Sequence, residues 1–210
     1  IHDARWVTEW QRGVYLNGEN AYGKIESSDS LNITDEITVA AWAKSYNTKK
    51  SAGIVSRYTT SRWGIYQHKL GWVSFYVNGV RPDIYYINRN QWYFFGGTYR
   101  SSDGRLEFYV DGKLYDSTTS EGNLKVDADI YVGMLLSGVL RYFNGLVGPV
   151  YVYNRVLSQS EFMQIYLNPD NPPLDGLKLW LPMNEGWGRR LVDHSGNGNH
   201  AMLYGDVRWV

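Results

Sequence analysis

Arg105-Leu106-Glu107-Phe108-Tyr109-Val110-Asp111-Gly112-Lys113-Leu114-Tyr115 is the stretch that decides the architecture of this chain. Leu106, Phe108 and Val110 alternate with Glu107 and Tyr109, the period of a strand with one face buried. Asp111-Gly112 is a two-residue turn of the kind that joins antiparallel strands, because both positions tolerate positive φ. Working outward, Trp72–Val77 repeats the alternation, with Val73, Phe75 and Val77 inward and Ser74 and Tyr76 outward. In Thr38–Lys44, Val39, Ala41 and Ala43 share one face, and Ala40 and Trp42 the other. Further strands are expected near 21–25, 53–56, 63–68, 92–99, 128–132 and 146–153, with turns at Asn78-Gly79, Asp103-Gly104 and Asn144-Gly145. Many short strands with Gly/Asn turns predict an all-β chain, a two-sheet antiparallel jelly-roll sandwich. One short helix interrupts it. Ser158-Gln159-Ser160-Glu161 is a capping box, Phe162, Ile165 and Tyr166 follow at helical spacing, and Asn168-Pro169 ends the segment.

Composition narrows the function classes. A chain of 210 residues suits one large β domain, expected to span 1–210, and 43% hydrophobic residues supply a core without cross-links, since there is no cysteine. No apolar run approaches the roughly 20 residues of a membrane helix, so membrane insertion is not expected. Twenty-one basic residues balance 21 acidic ones, and no basic cluster offers a surface for nucleic acid. The chain opens Ile1-His2-Asp3, without a signal-peptide stretch, and reads as a processed or excised piece of a longer protein. Nine Trp, 18 Tyr and six Phe exceed what a core of this size needs. Tyrosine tolerates water at its hydroxyl, so the excess points to an aromatic outer sheet face or a binding platform.

Five segments occur in one order: Gly13–Gly18 leading to Ala21-Tyr22, Ile37–Trp42, Gln91-Trp92-Tyr93, Leu106–Gly112 and Tyr153–Glu161. In that order the chain resembles the laminin G-like jelly-roll domains of the concanavalin A-like lectin/glucanase superfamily. The resemblance implies an extracellular, cell-surface or virion-surface recognition module with a glycan or cell-surface protein as partner. It also implies that residues 174–210, with Leu177–Gly186 and the Asp193–His200 loop, supply strands that usually open the domain. Asp3-Ala4-Arg5-Trp6-Val7 nearly repeats Asp206-Val207-Arg208-Trp209-Val210. Both features suggest a permuted or tandem-repeat frame, with neighbouring domains in a larger parent chain.

The chemistry expected of an enzyme is missing. The superfamily's glucanases carry a Glu-x-Asp-x-(x)-Glu run that sets carboxylates about 5 Å apart for retaining hydrolysis. No such run exists here. Glu107 and Asp111 break the alternation, and Asp127-Ala128-Asp129 lacks a companion Glu and reads as a charged strand edge. His2, His68, His194 and His200 form neither a zinc motif nor an obvious partner for a serine nucleophile. No catalytic residue, metal ligand or cofactor is expected. The resemblance implies calcium at a sheet rim, yet the two rim stretches, Arg57–Arg62 and Leu136–Arg141, contain no carboxylate, and Gly148 or Pro149 stands where many relatives place Asp. Only a weak structural calcium at Asn17, Asn20 or Asp193 stays open.

The remaining candidate is a sugar-stacking platform of Trp63, Tyr66, Trp72, Tyr76, Tyr85 and Tyr86, with Arg57, Arg62, Gln67 and Asn78 to fix hydroxyls. The competing reading is cross-strand aromatic pairing that only stabilises the sheet. A structural spacer in a repetitive surface protein is the alternative function, and a glycan-acting hydrolase a weaker one. Asn32-Ile33-Thr34 fits the N-glycosylation triplet.

Overall fold

A computed structural model describes residues 12–57, 63–126, 128–136 and 140–210. The chain begins with β1 (Val14–Asn17), β2 (Tyr22–Ile25), a short 3-10 turn at Asp29–Leu31, β3 (Glu36–Ser45) and β4 (Ala52–Arg57). β5 (Trp63–His68), β6 (Trp72–Val77), β7 (Tyr85–Tyr86), β8 (Trp92–Arg100), β9 (Arg105–Val110) and β10 (Lys113–Thr119) follow. Then come β11 (Ile130–Val132), β12 (Met134–Leu136), β13 (Leu140–Tyr142), β14 (Asn144–Tyr153) and the helix α1 (Gln159–Leu167). β15 (Leu177–Leu181), β16 (Arg190–Leu191), β17 (Ala201–Tyr204) and β18 (Val207–Trp209) complete it. No helix among the described residues is long and apolar enough to cross a membrane.

Two antiparallel sheets form the expected sandwich. The first runs β10-β9-β8-β3-β14-β1-β18, with β15 also on β14, and the second runs β16-β17-β2-β11-β4-β5-β6-β7. The alternation read from the sequence holds. Val39, Ala41, Ala43, Leu106, Phe108 and Val110 of the first sheet meet Ile65, Val73, Phe75 and Val77 of the second in one core. Asp111 and Gly112 take φ of 50° and 78°, and β9 turns into β10 there. Gly96-Gly97 in β8 serves both sides of the sheet: a side chain at Gly97 would overlap Phe75 of the core, and one at Gly96 would overlap Phe162 of the helix.

A second apolar layer lies outside the first sheet. Trp42, Phe94, Tyr109, Leu146, Tyr151 and Tyr153 project away from the core and are covered by Leu157, Phe162 and Ile165. Phe162 stacks on Tyr109 with centroids 4.1 Å apart, and Tyr166 stacks on Trp42 at 5.4 Å. The helix begins as the sequence predicts, with Ser158 and Glu161 capping each other. Arg155 clamps Glu161 through both terminal guanidinium nitrogens and holds that carboxyl down at about 2.

The C-terminal segment builds both sheets. β15 pairs with the second half of β14, and β18 pairs with β1; just beyond that pair, Gly13 and Val210 exchange two main-chain hydrogen bonds, at 3.1 and 3.0 Å. Asp3–Val7, the near-repeat of that closing strand, lies outside the described residues.

Candidate glycan-binding face

The outer face of the second sheet is divided by the β12–β13 hairpin, which the sequence did not announce. The hairpin folds back over β4: Gly133 N–H donates to Ile54 O, and the Ser56 hydroxyl donates to Met134 O at 2.7 Å. Gly53 must be a glycine, since a side chain there would strike the Met134 carbonyl. Consecutive residues of a strand point opposite ways. Arg141 accordingly reaches Tyr66 on β5, its Nη1 3.2 Å from the phenol oxygen, while Tyr142 packs on Tyr22 of β2 at 6.0 Å.

On the β5–β6 half, antiparallel register does the assembling. His68 opposes Trp72, which opposes Tyr86, and Tyr66 opposes Ser74 one step along. The His68 imidazole stacks on Trp72 with centroids 4.4 Å apart and planes within 11°. Arg81 lays its guanidinium 5.0 Å from the Trp72 ring centroid and donates one N–H to Pro82 O. Tyr66 stands edge-on to Trp72 at 6.2 Å and to Tyr76 at 5.6 Å. Trp72 is thereby only 7% exposed, while Tyr66, His68 and Tyr76 are half-buried and Tyr86 is exposed. Burial, followed by the charges of Lys69, Arg141 and Arg81, holds the His68 pKa below its usual value. Burial likewise raises the Tyr76 phenol. Beside Arg141 a depression of about 490 Å³ opens between Gly18, Glu19, Lys50, Ser51, Leu140 and Tyr142.

On the other side of the hairpin, Tyr22 stacks on Tyr204 at 5.1 Å and meets Tyr131 at 6.2 Å. A depression of about 420 Å³ adjoins Tyr204 and Met202, lined by Lys24, Ser28, Asn199 and His200.

Of the ten residues expected on the platform, the structure brings Tyr66, Trp72 and Tyr76 together, leaves Tyr86 exposed beside Trp72, and gives most of the others different surroundings. Trp63 points into the core at 2% exposure, because it sits three places from Tyr66 on one strand and three is an odd step. Tyr85 turns inward against Tyr93 and Tyr115, and its neighbour Tyr86 turns out. Arg57 is buried and ties Leu31, Val126 and Ala128 together through their carbonyls. Gln67 donates to Asn47 O and Lys50 O, and Asn78 to Glu121 O, away from the platform. Trp72 is not a stacking surface but the keystone under one, since His68 and Arg81 cover its ring. Arg62 lies outside the described residues. His68, Arg81 and Arg141 were missed as members of the platform: the first needs strand register to place it, and the other two arrive from a loop and a hairpin.

Glu107, Asp111 and Asp129 serve the scaffold. Glu107 accepts from Thr98 and Tyr109 and pairs with Arg105 on the first sheet. Asp111 accepts the Phe94 N–H, and its carboxyl is raised by burial. Asp129 pairs with Lys24 at 3.0 Å, and Asp127 lies outside the described residues. No group of three or more His, Asp or Glu side chains gathers as a metal site among the described residues. Asn17 Oδ1 accepts three main-chain amides, and Asp193 accepts from Trp180, Ser195 and Asn199. Asn20 Oδ1 accepts from Asn17 and from the Asp206 N–H. The oxygens offered for calcium are therefore already shaping turns. Of the two rim stretches, 58–62 and 137–139 lie outside the described residues.

Comparison with known proteins places the fold. The profile of the concanavalin A-like lectin/glucanases superfamily matches residues 17–162, and the chain belongs to that superfamily. A Bacteroides ovatus protein whose name suggests carbohydrate binding superposes with a TM-score of 0.75 at 16% identity, over 95% of this chain and 60% of its own. This chain thus spans 60% of that protein's length. A heptameric SAP-like pentraxin from Limulus polyphemus superposes over 97% of this chain and 96% of its own, at 12% identity and a TM-score of 0.58. Laminin-type domains 4–5 of the mouse laminin α1 chain match over 68% of this chain and 40% of theirs, at 16% identity and 0.55. At these identities the likeness is one of fold. No curated protein matches the sequence.

Proposed function

We propose that this concanavalin A-like domain is a non-catalytic lectin module that binds glycans on the outer face of its second sheet. One observation carries the reading: Tyr66, His68 and Tyr76 surround a braced Trp72 on a face that the helix leaves open, with the guanidinium groups of Arg81 and Arg141 at its border. Flat rings bordered by forked donors suit a sugar, whose C–H faces stack and whose hydroxyls accept hydrogen bonds. The name of the Bacteroides ovatus relative supports the same class. Fold alone does not, because this sandwich carries several functions. The domain acts as a recognition or adhesion part of a larger secreted, cell-surface or virion-surface protein, with residues 174–210 closing a permuted or tandem frame. A cell-surface protein presenting such glycans is the matching partner.

A glycan array probed with the wild-type chain and with Tyr66→Ala tests the reading. Binding to a defined group of glycans that the variant loses is the expected result. Failure of the wild type to bind any glycan would instead favour the structural-spacer reading.

A further inference from the structure

The two halves of the open face differ in charge. On the Tyr22 half, Lys24 is neutralised by Asp129 at 3.0 Å and Glu26 at 3.9 Å. On the Tyr66 half, Arg81 and Arg141 make no ion pair among the described residues. Each is nevertheless fixed, Arg81 over the Trp72 ring and Arg141 on the Tyr66 hydroxyl. A guanidinium positioned by an aromatic group, with no carboxylate on it, keeps forked donors for an incoming acid, and the match to a carboxylate or sulfate is bidentate. Lys69, beside His68, and Lys50, on the adjoining depression, extend the same positive field. Three acids lie nearby, and none is within ion-pair distance of Arg81 or Arg141. Glu19 lines the depression, Asp83 caps the Ile84 amide, and Asp116 is engaged by the Asp83 amide. The pKa of His68 responds to this field: after burial, the groups that lower it are Lys69, Arg141 and Arg81.

We propose that the Tyr66 half selects acidic sugars, with Arg141 and Arg81 receiving a carboxylate or sulfate while the ring lies against Tyr66 and Tyr76. The inference rests on the glycan-binding reading and specifies its ligand class. The test is calorimetric titration with oligogalacturonate and dextran sulfate, against neutral galactan and dextran of similar length. At least one acidic sugar is expected to bind about tenfold or more tighter than its neutral counterpart, and Arg141→Gln to lose about tenfold of that affinity. Lys113→Gln, on the exposed edge of the first sheet, is expected to keep wild-type affinity. Arg81→Gln serves as the second variant, with a thermal melt to separate lost binding from a loosened Trp72. Binding of oligogalacturonate alone, or of dextran sulfate alone, would support the proposal and name the acid. Equal affinity for acidic and neutral sugars would overturn it and leave the lectin reading standing. Equal losses in Arg141→Gln and Lys113→Gln would also overturn it, marking mere attraction of a polyanion. Absence of binding to both acidic sugars would overturn the proposal, while the glycan array decides the lectin reading separately.

Discussion

The two outer faces of this sandwich begin with the same material. Outward positions of the first sheet hold Trp42, Phe94, Tyr109, Tyr151 and Tyr153, and those of the second hold Tyr66, His68, Trp72 and Tyr76. On the first, the chain returns as a capped helix, Gly96 makes room for Phe162, and the aromatics become a second core. On the second, what returns is a narrow hairpin over β4, so rings to either side keep contact with water. An outward aromatic is therefore core or platform according to what later covers it, not according to its own strand.

The largest expected difference between the faces is in stability. Phe162→Ala removes a fully buried ring and is expected to cost about 3–5 kcal/mol in denaturant unfolding. Tyr66→Ala, half-buried and covered by no helix, is expected to cost about 1 kcal/mol or less. A Tyr66→Ala penalty as large as that of Phe162→Ala would mean the platform is core after all.

Binding should invert the order. Tyr66→Ala is expected to weaken an array-identified oligosaccharide by about 1–2 kcal/mol, roughly 5- to 30-fold, since ring stacking is lost. Gln159→Ala, on the helix-covered side, is expected to leave affinity unchanged, as measured by the same titration.

A smaller effect concerns acid. Arg155 holds the Glu161 carboxyl at about 2, below its unfolded value, so the contribution is present above the unfolded pKa and is lost as pH falls from about 4.5 towards 2. With solvent screening of this partly exposed pair it amounts to about 1 kcal/mol. Wild-type stability should therefore drop through that window by about this much more than that of Glu161→Gln, and parallel pH profiles would remove the clamp from the account of the sealed face.

The smallest effect is expected from re-cutting the chain. A permutant that starts at Leu174, runs through Val210 and a short Gly/Ser linker into Gly13, and ends at Pro173 should melt within a few degrees of the parent, because Gly13 and Val210 already share two hydrogen bonds. Failure to fold would count against the permuted frame.

Much of the fold was legible because strand alternation is local. Leu106, Phe108 and Val110, or Val73, Phe75 and Val77, declare their face by parity alone, and Ser158 with Glu161 marks the helix start. Parity also separates Trp63 from Tyr66 and Tyr85 from Tyr86, and grouping them on one platform ignored it. The rest is non-local. The stack of His68 on Trp72 depends on cross-strand register, Arg81 and Arg141 come from outside the strands they decorate, and nothing near Phe162 in sequence says which sheet the helix will cover.

The central claim is that the uncovered face of the second sheet is the one that meets a ligand. Amide chemical-shift mapping during titration with an oligosaccharide selected by the array tests it most directly. The account predicts shifts concentrated at Tyr66–His68, Trp72–Tyr76, Arg81 and Arg141, with the helix Gln159–Leu167 silent. Shifts centred on the helix, or confined to the Tyr22–Tyr204 half, would contradict it.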